Sequence, residues 1–106
     1  MFDADGYPTD TFLDSIKAFD IKSYADCVKL FEIIKPFWKY ADVGYWTESN
    51  GRLEDSNKPG MTYAISTGGW SGNESIISAL ESNRVFYALC WYSSRRGGHY
   101  VFEVRL

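Results

Sequence analysis

The chain has one histidine and only two cysteines among its 106 residues. Cys27 and Cys90 lie far apart, and neither has a Cys or His nearby at metal-ligand spacing. That excludes a disulfide framework and a zinc cluster of the usual kind. Two buried free thiols in a reducing compartment are the expectation, with a single disulfide between them left open. No apolar run approaches the ~20 residues that a bilayer-spanning helix needs, so no membrane association is expected. The first residues, Met1-Phe2-Asp3-Ala4-Asp5, are acidic, unlike the basic start of a secretory signal or an Arg-rich transit peptide. Neither a repeat nor a low-complexity segment interrupts the chain, and its length suits one domain, residues 1–106. The formal net charge of -3 is too small for an acidic disordered tail. It also weighs against a duplex-binding protein, which would show a broad basic face.

Catalytic signatures are missing as well. There is no G-x-S-x-G elbow, no H-E-x-x-H, no metal cluster and no Cys–His pair in a known arrangement. We therefore assign no catalytic residue, no metal ligand and no cofactor. Glu74 with His99 offers an acid and a base, but any chain with one histidine offers such a pair.

Aromatic side chains, by contrast, are abundant: 18% of the chain, as 4 Trp, 8 Tyr and 7 Phe. A small domain cannot hide so many rings completely. Two readings stand: large rings compensate for a small core, or a subset forms a recognition surface, where Trp, Tyr and Arg are favoured.

Asp10 to Asp20 reads as an amphipathic helix, with Phe12, Leu13, Ile16 and Phe19 on one face and Thr9 or Asp10 as its cap. Ser23 to Lys35 reads as a second helix, opened by Ser23 with Asp26 as capping-box partner and ended by Pro36. Val43 to Glu48 reads as a strand, 49–60 as a loop (a flap or a hairpin insertion), and Met61 to Thr67 as a second strand. An S-x-x-E capping box, Ser71 with Glu74, opens a helix over Ser71 to Ser82, and Asn83 stops it. Val85 to Ser93 is apolar on both faces and reads as a central strand. His99 to Leu106 alternates and reads as a further strand, joined through Gly97-Gly98 in a hairpin. The fold class is therefore α+β, in the order α-α-β-β-α-β-β. Four mostly antiparallel strands are expected, with the helices packed on one face.

Two segments stand out. Ser66 to Glu74 joins a strand to a helix start through Gly68 and Gly69. Glycines let a ligand approach the backbone, and free N–H groups at a helix start attract an anion. No Lys follows them, so this is not a Walker loop. A turn with a capping box explains the same residues, but Trp70 between glycines calls for something to pack or stack on. The second segment is Arg95-Arg96-Gly97-Gly98-His99. Paired guanidinium groups recognise phosphate or carboxylate in a planar, bidentate way; a solvated basic turn is the plainer alternative. If the Met61 and Val85 strands are neighbours and parallel, both segments meet at one end of the sheet. The candidate ligand-binding residues are then Gly68, Gly69, Trp70, Ser71, Asn73, Arg95, Arg96 and His99.

The run Thr67-Gly-Gly-Trp-Ser-Gly-Asn-Glu74, followed by Ser94-Arg-Arg-Gly-Gly-His-Tyr-Val-Phe-Glu-Val104, resembles small uncharacterised proteins encoded by bacteriophages and prophages. The resemblance implies a setting in the cytoplasm of an infected bacterium. It also implies a non-enzymatic binding role that counters a host defence system. Two versions of that role arise. In one, the Gly-Gly-Trp loop and the Arg-Arg hairpin sequester an anionic, nucleotide-like small molecule. In the other, the acidic and aromatic stretches Asp3 to Asp20 and Tyr40 to Trp46 meet a basic host protein, such as a CRISPR-type effector. A small nucleotide-processing enzyme is the alternative from a different class. The oligomeric state, homodimer included, is open.

Overall fold

The computed structural model describes residues 6–106; Asp3 and the rest of the first five residues lie outside them. The α+β expectation holds. Helices α1 (Asp10–Lys17) and α2 (Tyr24–Ile34) precede strands β1 (Trp46–Asn50) and β2 (Gly60–Ser66). Helices α3 (Ser71–Ser82) and α4 (Arg84–Cys90) follow, and strands β3 (Trp91–Arg95) and β4 (His99–Arg105) close the chain. The four strands form one sheet in the order β1-β2-β4-β3. Every neighbouring pair is antiparallel.

One element differs from the sequence reading. The apolar run from Val85 is not a central strand: Arg84 to Cys90 is helical, and β3 starts only at Trp91 as an edge strand. A short run apolar on all sides cannot distinguish a buried strand from a buried helix. Asn83 decides between them. It ends α3, and its side-chain oxygen accepts from the Phe86 N–H at 3.2 Å, so it also caps α4. Phe86 and Cys90, four residues apart, then face the core while Val85 and Ala88 face outward.

The same residue shortens α1. The Asn83 amide donates to the carbonyls of Ile16 and Phe19 at 3.0 Å each, so the helix ends at Lys17 rather than running to Asp20. The capping assignments split. Thr9 caps α1, accepting from the Phe12 N–H at 3.2 Å. Asp26 reaches back to the Ser23 N–H at 3.1 Å, as the capping box requires. At α3 the expected Ser71–Glu74 box is not formed: Trp70 is the N-cap residue and Ser71 already lies in the first turn.

The core lies between the helices and the sheet face carrying Tyr63, Ile65, Phe102 and Val104. Phe31 of α2 is its centre. It stacks on Tyr63 with centroids 3.8 Å apart and meets Phe86 and Phe102 at 5.3 and 5.5 Å. Burying a ring of this kind is worth about 1.5–3 kcal/mol. Cys27 and Cys90, both buried and free, lie in this one core. The neighbouring Cys27 thiol, and then burial, push the Cys90 thiol up. The opposite sheet face carries Ala64, Ser66, Val101, His99 and Arg95. At its far end the 51–59 loop folds over it: the Leu53 N–H donates to Glu103 at 2.9 Å, and Thr62 donates to the Gly51 carbonyl at 3.0 Å. The loop is thus an anchored hairpin insertion. Among the described residues no helix is long and apolar enough to cross a membrane.

Candidate functional site at one end of the sheet

The two segments singled out in the sequence do come together, by a different route from the one expected. β2 and β3 are not neighbours; β4 runs between them. Since both are antiparallel to β4, they point the same way and exit at the same end. The join is a backbone hydrogen bond, from the Thr67 N–H to the Gly98 carbonyl at 2.9 Å. Gly98 has φ +80, and a Cβ there would collide with the Thr67 side chain. Only glycine suits both the turn and this close approach. Next to it, Ser66 Oγ and His99 Nδ1 are 2.7 Å apart.

Arg95 and Arg96 are exposed at this end, and neither makes an ion pair among the described residues. An exposed guanidinium without a carboxylate partner keeps its full bidentate capacity. Lys39 adds a third cation. Its ammonium lies over the Trp70 ring, 4.7 Å from the centroid. Gly68 and Gly69 are exposed with φ +62 and +74, and Ser71 is exposed in the first turn of α3. The charge opposing them nearby is Glu74, in that same turn.

Two of the eight candidates play a different part from the one expected. Asn73 is fully buried, and its amide is saturated. It accepts from the Lys39 N–H at 3.0 Å and donates to the carbonyls of Lys39 and Thr67 at 3.1 and 3.3 Å. It ties the Lys39 segment to the loop and offers nothing outward. Trp70 is half-buried and already engaged. Tyr7 stacks on it at 5.3 Å, and a Cβ on Gly72 would strike its six-membered ring. The ring anchors the loop on the helix, so it is not a free platform for a base. Lys39 and Thr67 were not among those eight candidates. Nothing in the local pattern marks Lys39, because it reaches the loop only through contacts with Asn73 and Trp70, distant in sequence.

The acidic stretch proposed for a protein partner is partly neutralised within the chain. Asp14 pairs with Lys17 at 3.7 Å and Asp20 with Lys22 at 3.4 Å, while Asp10 is exposed. Among the described residues no group of three His, Cys, Asp or Glu is placed to hold a metal ion. No family model, no curated protein and no solved structure matches the chain.

Proposed function

We propose that this is a non-enzymatic binding protein, of the kind phages deploy against host systems, that holds an anionic, nucleotide-like ligand at this end of the sheet. The observation that carries the reading is the Thr67–Gly98 backbone bond. It seats two unpaired guanidinium groups beside a loop of exposed glycine backbone and a helix start without a side-chain cap. Arg95 and Arg96 would take the phosphate, with Lys39 and the Gly68 and Ser71 backbone N–H groups completing the anion cradle, since the Gly69 and Trp70 N–H groups already donate to Thr67 at 3.3 and 3.1 Å. The resemblance of this C-terminal stretch to phage proteins supports the biological setting, the cytoplasm of the infected cell.

The test is native mass spectrometry of the protein mixed with linear and cyclic nucleotides, beside an Arg95→Glu/Arg96→Glu double variant. Both side chains are exposed, so the variant should keep its circular dichroism and melting temperature. The expected result is a retained nucleotide mass in the parent and at least a tenfold loss in the variant, the scale for removing charge-assisted bonds to phosphate. Equal retention by a folded double variant would reject the site.

A further inference from the structure

A second concavity lies away from the basic end, between the C-terminal end of α2 with its following turn and β1. It is an open cleft of about 750 Å³, within the range of small-molecule sites. We propose that this cleft binds a small primary or secondary amine carried on a flat apolar body.

Three observations carry the proposal. The first is Tyr63. Its side chain is 2% exposed and lines the cleft. Its hydroxyl has no hydrogen-bond partner among the described residues, yet no fully buried side-chain oxygen or nitrogen lacks one. The hydroxyl is therefore not sealed in the core, and this cleft is the concavity that Tyr63 lines. A polar group so placed is costly unless something in the cleft pairs with it.

The second is charge. Three carboxylates, Glu32, Asp42 and Glu48, line the cleft against one cation, Lys35. Lys35 is already committed, donating to Glu48 Oε1 at 2.8 Å, and the Trp46 indole N–H donates to that same oxygen at 3.0 Å. The other Glu48 oxygen accepts from no described residue and is left for a ligand.

The third is the apolar wall. Trp38 and Trp46 meet edge to face, with centroids 5.8 Å apart, and both line the cleft. Flat apolar matter packs on such a wall, and a cation beside it gains from the ring quadrupoles. An ammonium with N–H donors satisfies Glu48 and the Tyr63 oxygen together. A quaternary ammonium has no N–H for Tyr63, an alcohol lacks the charge, and a carboxylate is repelled.

An indole series tests each part: tryptamine, its N,N,N-trimethyl derivative, the neutral indole-3-ethanol and the anionic indole-3-propionate. Binding is read by calorimetry and by the indole N–H resonances of Trp38 and Trp46. The expected result is saturable binding of tryptamine at millimolar concentration that moves both resonances. The alcohol and the trimethyl derivative should bind at least about fivefold more weakly, the worth of one lost hydrogen bond or ion pair, and the propionate not at all. Tyr63→Phe keeps the ring in the core and should fold normally while weakening tryptamine by a similar factor. Glu32→Gln/Asp42→Asn changes only exposed positions and should weaken it further. Binding without this order of charge, unmoved Trp resonances, or full affinity in either folded variant would overturn the proposal. The Arg95→Glu/Arg96→Glu variant should bind tryptamine like the parent, which separates this site from the anion site.

Discussion

Single residues do the joining in this small protein. Asn73 sits in the first turn of α3, beside a loop that looks built for a ligand, yet every polar atom of its side chain is used inside, on Lys39 and Thr67. Gly98 is the counterpart on the hairpin, where the backbone turns with positive φ directly against Thr67. Replacing it with alanine adds strain in the left-handed region and a clash. We expect Gly98→Ala to cost about 2 kcal/mol, measured by chemical denaturation, and to weaken the anion site by separating its halves. Gly97→Ala at the tip also pays the left-handed penalty, but its Cβ would meet nothing closer than the His99 ring at 3.4 Å, so it should be milder. Equal costs would mean that the Thr67 contact does not hold the two segments.

At the scale of elements, Asn83 governs more than its own turn. It ends α3, caps α4 and closes α1 through the Ile16 and Phe19 carbonyls. Removing it leaves the buried Phe86 N–H and the Phe19 carbonyl without their side-chain partner and takes one bond from the Ile16 carbonyl, which still accepts from the Phe19 N–H at 3.3 Å. We expect Asn83→Ala to destabilise by roughly 2–4 kcal/mol, the sum of a lost cap and buried unpaired groups, and Asn83→Asp to recover only the capping part. Hydrogen exchange should show the end of α1 and the α3–α4 junction opening together. Much of the element pattern was legible in the sequence. The α2 box, the end of that helix near Pro36 and the Gly97-Gly98 hairpin follow from local rules that need no tertiary partner. The helical reading of Arg84 to Cys90 was not legible, because its apolar positions suit either period and the deciding hydrogen bonds come from residues distant in sequence.

Across the whole molecule, charge is segregated. Arg95, Arg96 and Lys39 gather at one end of the sheet, while Glu32, Asp42 and Glu48 line the cleft. Several carboxylates are held below their ordinary range. For Glu48 the cause is the Lys35 hydrogen bond, helped by the Trp46 indole. For Glu103 burial pushes upward, but the Leu53 N–H and the Arg105 guanidinium outweigh it. For Asp26 the Lys22 N–H comes first, with Ser23 and Lys29 adding to it. A carboxylate whose folded pKa is depressed stabilises the fold above its unfolded value and loses that contribution as pH falls through the folded value. The melting temperature should therefore stay level near neutrality and drop below about pH 4. Glu103→Gln should lower the neutral plateau and flatten the acid limb. An acid limb as steep as the parent's in that variant would assign the transition to other groups.

By itself the sequence determined the local alphabet: where most helices begin, where the chain must turn, which strand faces alternate, and that guanidinium groups sit in a glycine turn. These depend on backbone sterics and on neighbours a few residues away. Only the tertiary structure decided which of those features share a site. The strand order set β4 between β2 and β3 and so joined Thr67 to Gly98. Core packing drew Asn73 inward, set Cys27 and Cys90 in one core, and put Tyr63 in the wall of a cleft that no sequence pattern marks. Such pairings join residues far apart along the chain. They are fixed by the closure of the fold around Phe31, not by any short stretch of sequence.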